Sequence, residues 1–331
     1  MMAMTAYSIL DLVPVVEGGT VPQALANAAD LAAHAESLGF TRFWVAEHHG
    51  MKGIASAATS VVIGHIAAAT KTIRVGAGGI MLPNHAPLVI AEQFGTLDAL
   101  YPGRIDLGLG RAPGSDQRVA QAIRRTLDSD PNAFVRDIVE LQSYFADDGR
   151  TGISATPGAG ANVPFYILGS SLYGAQVAAL IGLPYAFASH FAPQMLDEAL
   201  HVYRSSFKPS AALDKPHVMA AMNIIAADSD EEAEFLASSI QQSFVGLRTG
   251  NPRQMQPPVD GYKASLPPHI AAMLDELLSC SAIGSVETVS NGIAKFIDRT
   301  HADEIIVACS MFDHDKRKRS LSLTAQAFQS L

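Results

Sequence analysis

Residues 8–46 decide the fold and read SILDLVPVVEGGTVPQALANAADLAAHAESLGFTRFWVA. Two short apolar runs, Ser8–Val13 and Thr41–Ala46, enclose a stretch in which apolar residues recur three and four positions apart. That spacing is typical of one helical face, here made of Val21, Leu25, Ala28, Ala32 and Ala35. Thr20 can cap this helix and Gly39 can end it. Both strands are apolar on their two faces, as parallel strands covered by helices are.

The same alternation continues along the chain and predicts eight strands. They are Ser8–Val13, Thr41–Ala46, Ile73–Met81, Arg104–Leu109, Phe165–Leu168, Tyr185–Ser189, Val218–Ala226 and Glu304–Cys309. The helical stretches that follow the first include Ala55–Thr70, Pro87–Leu100, Tyr173–Gly182, Pro193–Phe207 and Val286–His301. Eight strands alternating with helices favour an α/β fold of the closed (β/α)8 TIM-barrel type over an open doubly wound sheet. In such a barrel, chemistry lies on the loops after the C-terminal ends of the strands.

Two stretches interrupt the alternation. Gly149–Pro164 lies after the fourth strand and Thr249–Pro268 after the seventh, and both are rich in Gly and Pro. We interpret them as insertions within a single barrel domain that spans residues 1–331. Loops of this length are often lids or binding segments, and a plain surface excursion is an equally good interpretation.

Composition excludes several function classes. Hydrophobic residues make up 48% of the 331 residues, which predicts a folded core. The formal charge of −9 argues against nucleic acid or an anionic membrane as a partner. The two cysteines cannot form a disulfide framework, and no Cys or His spacing indicates a metal site. With no signal peptide and no run of roughly 18 apolar residues, we expect a soluble cytoplasmic protein.

The second strand runs directly into Glu47, His48 and His49. A carboxylate and two imidazoles at a barrel mouth can supply general acid–base chemistry, or a hydrogen bond from a ligand to Glu47. Adjacent strand residues point to opposite faces, so the triplet alone is a poor metal chelate. The alternative is a hydrogen-bonded network that only fixes the loop.

The third strand carries Gly76, Gly78 and Gly79, and His85 follows it. Glycines within a strand indicate either a bulge or the close approach of a flat ligand to the backbone. His85 and His190, which follows the sixth strand, are candidates for a substrate pocket, although each could equally be a solvated or structural histidine.

Two features predict a phosphate site. Arg111 follows the fourth strand, where its guanidinium could bind a phosphate or form an ion pair with a carboxylate such as Asp116. Gly169, Ser170 and Ser171 follow the fifth strand and open a helix, whose N-terminal N–H groups favour an anion. The alternative is that one serine only caps the helix.

The basic run Lys316–Arg319 lies in a final helix. On an acidic protein such a run usually forms a solvated face, and we expect that here rather than a partner site.

Three segments in this order carry a resemblance to a known family. They are FTRFWVAEHH (40–49), VGAGGIMLPNHAPLVIAEQFGTLDALYPGRIDLGLGRAPG (75–114) and ILGSSLYGAQVAALIGLPYAFASHFAP (167–193). Together they resemble the bacterial luciferase-like flavin monooxygenases, in particular the single-chain, alkanal-monooxygenase-like branch. The resemblance covers nearly the whole chain, from the first strand through the last barrel strand.

The resemblance assigns roles to matching positions around the flavin ring. Glu47 matches the family's flavin-site glutamate. His48 matches its catalytic histidine, a general acid–base near the reactive edge of the flavin. Gly78 and Gly79 fall where the family carries a non-prolyl cis peptide beneath the ring. Gly110 occupies the position of a reactive but dispensable cysteine in luciferase.

The resemblance also assigns the flavin phosphate. Arg111 matches the phosphate-binding arginine, and Gly169 and Ser170 match the loop that holds the phosphate. Tyr173 departs from the pattern, because relatives often carry there a Ser or Thr that also touches the phosphate.

The activity that the resemblance implies is oxygenation. Reduced FMN, supplied by a separate NAD(P)H-dependent reductase, would react with O2 to a C4a-hydroperoxide, which places one oxygen atom in a small organic substrate such as an aldehyde. A homodimer is implied as well. The alternatives are a deazaflavin-dependent hydride-transfer enzyme, a non-catalytic flavin-binding protein and a metal-dependent hydrolase that uses His48 and His49.

Overall fold

The computed structural model describes residues 5–112, 117–123, 130, 132–150 and 152–331. The strands within these residues are β1 (Ala6–Asp11), β2 (Arg42–Val45), β3 (Arg74–Met81), β4 (Ile105–Gly110), β5 (Phe165–Gly169), β6 (Tyr185–Phe187), β7 (Val218–Ala226), β8 (Ser281–Gly284) and β9 (Glu304–Ala308). The α-helices are α1 (Val21–Ser37), α2 (Thr59–Ala69), α3 (Pro87–Leu100), α4 (Gln117–Ile123), α5 (Ala133–Ala146), α6 (Leu172–Ile181), α7 (Leu196–Ser206), α8 (Asp230–Arg248), α9 (Pro268–Leu277), α10 (Val286–Thr300) and α11 (His314–Gln329). Short 3-10 helices lie at Leu82–Asn84, Pro193–Met195 and Lys263–Ser265.

The strands form a closed parallel barrel. Their order is β6-β5-β4-β3-β2-β1-β9-β7, and pairing of β6 with β7 completes the ring. This confirms the predicted (β/α)8 fold, and the eight predicted strands correspond to β1–β7 and β9 with ends that differ by at most two residues.

The ninth strand was not predicted. Asn223 of β7 pairs with Ala308 of β9 on one side and with Ser281 of β8 on the other. Because β6 pairs only with residues 218–220 of β7, β8 occupies the edge of β7 beyond the end of β6. At four residues directly before α10, β8 is too short to produce a recognisable apolar run.

Local signals explain where the helices begin. Thr20 caps α1 as expected, with its side chain accepting from the Gln23 N–H. The second helix begins at Thr59 rather than at the predicted Ala55. The residues before it are held in a loop, because the Ser56 hydroxyl donates to the carbonyl of Leu12 at 3.2 Å and also to that of Ala46.

The barrel interior has an apolar layer above a charged floor. Alternate strand residues that point inward form an apolar cluster of Leu10, Trp44, Ala46, Tyr166, Ala186, Met219, Ala221 and Ile306. The other strand face contacts the helices and forms the main core, in which Ile9, Phe43 and Leu107 are fully buried. Among the described residues, none of the helices is both long and apolar enough to cross a membrane.

Four charged side chains form the floor at the N-terminal end of the barrel. Arg42 binds Glu304 through Nε and Nη2 at 2.7 and 3.0 Å, and its Nη1 lies 2.7 Å from Asp106 Oδ2. Arg74 Nη2 donates to the other oxygen of Asp106 at 2.6 Å. Trp44 Nε1 also donates to Asp106, at 3.0 Å. Two cations therefore balance two carboxylates, and both carboxylate side chains are at most 2% exposed.

The basic run of α11 is not a solvated face throughout, and that expectation is wrong for Arg317. This side chain is only 5% exposed and donates to Asp11 at 2.7 Å. It also donates to the carbonyl of Cys309, so it connects α11 to the ends of β1 and β9. Its neighbours Lys316, Lys318 and Arg319 form ion pairs nearer the surface. Because α11 packs on the barrel, one of four consecutive basic residues has to face inward.

Replacing Arg42 tests the charged floor. We expect Arg42→Ala to lower the free energy of unfolding by about 3–5 kcal/mol, because it leaves buried carboxylates without their partner. Urea unfolding followed by circular dichroism measures the change. Arg319→Ala is the control, since that residue and its partner Asp228 are 51% and 60% exposed and such pairs contribute about 0–1 kcal/mol. Equal losses in the two variants would contradict the structural role of Arg42.

Candidate functional site

The candidate residues gather at the C-terminal ends of the strands, opposite the charged floor. Because every barrel strand is parallel to its neighbours, the loops after β2, β3, β4, β5 and β6 open on one mouth. Met81 pairs with Gly110, and Gly110 pairs with Leu168, so the ends of β3, β4 and β5 lie at one level. The structure divides the predicted residues into two groups, one around Glu47 and one around Arg111.

Glu47 is fully buried and bound entirely by groups from its own chain. It accepts from Nε2 of His49 at 2.7 Å and from Nε2 of His85 at 3.0 Å. The Met81 N–H donates to its other oxygen at 2.9 Å, and the Asn84 amide adds a bond at 3.2 Å. Burial raises the pKa of Glu47, but the hydrogen bonds from His85, His49 and Met81 outweigh burial and lower the pKa to about 2. An ionised carboxylate only accepts, so both histidines carry a proton on Nε2.

His48 and His190 lie close enough at the mouth for their charges to interact. They follow β2 and β6, which lie on opposite sides of the barrel. Burial, and to a smaller extent the charge of His48, together lower the pKa of His190 to about 4. His190 Nδ1 is buried and has no hydrogen-bond partner within the described part of the chain. The backbone carbonyl of His190 accepts from the Asn223 amide at 2.8 Å, which fixes this loop to β7.

The glycines of β3 produce a bulge. The register with β4 shifts between Ala77 and Ile80, and the Gly78–Gly79 peptide bond is cis, as the resemblance implies. A Cβ on Gly78 would lie 2.7 Å from Leu10 Cδ1, and one on Gly79 would lie 2.7 Å from a backbone oxygen of β4. Packing inside the barrel is therefore sufficient to require glycine at both positions, whatever binds above them.

Arg111 and the start of α6 form the second group. The Arg111 guanidinium carbon lies 4.0 Å from the centre of the Tyr173 ring, and Tyr173 is the second residue of α6. Ser171 is the N-cap of α6, but its side chain makes no capping hydrogen bond. Ser170 and Ser171 are exposed. A cation, two hydroxyls and a helix N-terminus thus converge, and this set of groups fits a phosphate. The alternative partner Asp116 lies outside the described residues.

Two further predicted glycines have packing roles. A Cβ on Gly110 would lie 3.0 Å from Met81 Sδ. A Cβ on Gly169 would lie 3.4 Å from both Gly174 Cα and Tyr185 Oη. Small residues therefore allow the end of β4 to lie close to β3, and the first turn of α6 to lie close to the end of β5.

The insertion after β7 packs beside the mouth. The Glu17 N–H donates to the Met255 carbonyl at 2.8 Å, and Val16 and Met255 form an isolated bridge. A Cβ on Gly53 would lie 3.0 Å from the Arg253 carbonyl. The segment therefore contacts the loops after β1 and β2, and its role as a lid stays a prediction.

Sequence reasoning missed three contributors to the mouth. Asn84 binds Glu47, but asparagine is common in loops and gave no signal. Asn223 stands alone as a polar residue in the buried strand VMAAMNIIA, and that was a usable signal. Tyr173 was noted only as a departure, because a contact across two loops is invisible to spacing along the chain.

The pKa of Glu47 predicts a pH dependence of stability. Its pKa is about 2 in the folded protein against an ordinary value of 4.5, so the ionised form stabilises the fold above pH 4.5 and this contribution is lost as the pH falls towards 2. Between pH 6 and pH 3 we expect the wild-type protein to lose about 2 kcal/mol more unfolding free energy than Glu47→Gln. Urea unfolding at a series of pH values measures this difference. Parallel pH profiles for the two proteins would show that Glu47 titrates normally.

Comparison with known proteins identifies the family of the chain. A family model described as luciferase-like monooxygenase matches residues 6–303. The chain is 52% identical over 327 residues to a luciferase-like monooxygenase of Escherichia coli K12, with 98% of each chain covered. The crystal structure of apo-MsnO8 is 33% identical, with a TM-score of 0.89 and 98% of both chains covered.

Two more distant structures show the fold alone. One is the oxygenating constituent of 3,6-diketocamphane monooxygenase from Pseudomonas putida in complex with FMN, at 18% identity, a TM-score of 0.73 and coverage of 98% of this chain and 97% of that one. The other is an F420-dependent secondary alcohol dehydrogenase, at 16% identity, a TM-score of 0.72 and coverage of 98% and 99%. The family match and the close relative leave no ambiguity about membership: the chain belongs to the luciferase-like monooxygenases.

Proposed function

We propose that the protein is the oxygenase of a two-component flavin system, which uses reduced FMN and O2 to oxygenate a small organic substrate such as an aldehyde. The observation that carries the proposal is the convergence of the Arg111 guanidinium with the N-terminus of α6 at the mouth that also holds Glu47 and His48. Groups that fit a phosphate and groups that can transfer a proton, at one barrel mouth, are consistent with a flavin-dependent enzyme.

Different residues at the mouth would bind the phosphate and the ring of the cofactor. Arg111, Gly169 and Ser170 would hold the phosphate, together with the first N–H groups of α6. Gly78, Gly79 and Gly110 would line the part of the mouth that holds the flavin ring, next to the bulge of β3. When bound, reduced FMN supplies two electrons to O2, so that one oxygen atom enters the substrate and the other leaves as water.

Glu47 would act by positioning. Its carboxylate already accepts from two histidines and from the backbone of β3, so it fixes the end of the strand that carries the cis peptide. Holding His85 in this way would also place one wall of the substrate pocket. Glu47 would therefore support the flavin ring through β3.

His48 would move the proton, and His190 would line the substrate pocket. The low pKa of His190 keeps its imidazole neutral near pH 7, so its unpartnered Nδ1 is suited to a hydrogen bond with a polar group of a ligand. An imidazole such as that of His48 can both accept and donate a proton, which is what a general acid–base needs. A separate reductase, a homodimer and a cytoplasmic location belong to the same proposal.

Anaerobic titration with reduced FMN, followed by O2, tests the proposal. We expect saturable binding, and then a transient flavin spectrum that differs from both the reduced and the oxidised forms. For whichever aldehyde the wild-type protein oxidises, His48→Ala is expected to lower product formation by about 10²-fold or more while FMN affinity changes less than about twofold. His65→Ala, an exposed histidine of α2, is the control. Tight binding of a deazaflavin with hydride transfer and no oxygen uptake would support the alternative activity instead.

Arg111→Ala tests the phosphate site. We expect FMN affinity to fall by about 1.5–3 kcal/mol, the magnitude of a hydrogen bond to a charged group, and riboflavin affinity to change little. Isothermal titration calorimetry with the two flavins measures both. Arg299→Ala, near the C-terminal end of α10 and therefore at the opposite end of the barrel, is the control. Unchanged FMN affinity in Arg111→Ala would remove Arg111 from the site.

A further inference from the structure

We propose that Tyr173 positions the Arg111 guanidinium for the flavin phosphate, and that this contact sets the preference for FMN over unphosphorylated riboflavin. The inference rests on the proposed function. At position 173 the resemblance implies a small hydroxyl side chain, whereas this chain has the aromatic ring of a tyrosine.

The contact between Arg111 and Tyr173 is close. Its distance of 4.0 Å compares with 5.1–5.9 Å for the other arginine–ring contacts that the described residues make. A separation of 4.0 Å brings the guanidinium against the ring, well inside the range in which the ring attracts a cation. We infer that the Arg111 guanidinium packs against the Tyr173 ring.

Arg111 needs such a support because of its position. It is exposed and directly follows Gly110, the last residue of β4, so its long side chain lies at the surface of the mouth. An unsupported arginine side chain loses considerable conformational entropy when it binds an anion. Stacking on Tyr173 before the ligand arrives lowers that loss. The N–H groups lie in the plane of the guanidinium, so a contact through its face leaves them able to donate to a phosphate.

The first turn of α6, which carries Tyr173, is fixed by close packing and a hydrogen bond. Gly169 and Gly174 allow the first turn of α6 to pack closely against the end of β5, since a Cβ on Gly174 would lie 3.3 Å from Gly169 Cα. The Tyr185 hydroxyl donates to the carbonyl of Ser171, the N-cap residue, at 3.1 Å. Tyr173 therefore holds Arg111 at a fixed place relative to the helix N-terminus, and both act on one anion.

The test compares three substitutions of Tyr173 by calorimetric titration with FMN and with riboflavin. Tyr173→Phe keeps the aromatic face, and FMN affinity should stay within about twofold of wild type. Tyr173→Ala and Tyr173→Leu remove that face, and FMN affinity should fall about 5–10-fold in both while riboflavin affinity stays unchanged. Tyr173→Leu keeps bulk in the half-buried position and separates stacking from packing. Urea unfolding confirms that each variant is folded.

A double variant isolates the coupling. Because Tyr173 acts through Arg111, the FMN affinity of Arg111→Ala/Tyr173→Ala should equal that of Arg111→Ala alone. Additive losses would overturn the inference. So would wild-type FMN affinity in Tyr173→Leu, or a loss in Tyr173→Phe as large as in Tyr173→Ala, which would assign the effect to the hydroxyl.

Failure of this inference is distinguishable from failure of the proposed function. If Arg111→Ala itself leaves the ratio of FMN to riboflavin affinity unchanged, the phosphate site is wrong and the role of Tyr173 falls with it. If Arg111→Ala lowers that ratio and Tyr173→Ala does not, the phosphate site stands and only the positioning role is overturned.

Discussion

The bridge that Arg42 makes between Glu304 and Asp106 is the constraint on which the barrel depends. These residues stand near the starts of β2, β9 and β4, so one guanidinium connects strands from three places around the ring. Buried charges of this kind are stable only when every partner is present. Arg74 and Trp44 complete the hydrogen bonds of Asp106, so that the floor is satisfied by the chain itself. Because the charged floor fills the N-terminal end of the barrel, a ligand can enter only at the C-terminal ends of the strands.

The two ends of the barrel differ in how their polar groups are satisfied. At the floor, four charges balance within the chain. At the mouth, His190 Nδ1 is buried without a partner in the described residues, and Ser171 caps α6 without using its side chain. Buried polar groups are nearly always hydrogen-bonded in folded proteins. His190 Nδ1 breaks this rule, and the exposed Ser171 hydroxyl makes no capping hydrogen bond. A ligand can satisfy both groups, which is why we propose that the chemistry takes place at the mouth.

The fold could be predicted because its signals are local. Apolar runs and helical spacing identified every barrel strand, and the strand ends at Arg111 and Ser170 followed from them. What could not be predicted depends on contacts between distant segments. β8 is too short to produce a pattern, and the burial of Arg317 follows from how α11 packs on Asp11. Apart from His49, the partners of Glu47 are Met81 at the end of β3 and Asn84 and His85 in the loop after it. They lie 34–38 residues along the chain, and no spacing rule connects them.

At the mouth, the groups that would bind the phosphate lie apart from the groups that would act on the substrate. The chain carries a formal charge of −9. A dianionic phosphate is therefore attracted only where nearby positive groups outweigh the net negative charge of the protein. Arg111 and the α6 N-terminus provide that on the side of β4 and β5. On the side of β2 and β3, the negative charge of Glu47 is buried and fully hydrogen-bonded, which limits its repulsion of an anion. Under the proposed function, the phosphate would determine how tightly the cofactor binds, while His48 and His190 would act on the substrate. Such a separation would allow one fold to host different reactions.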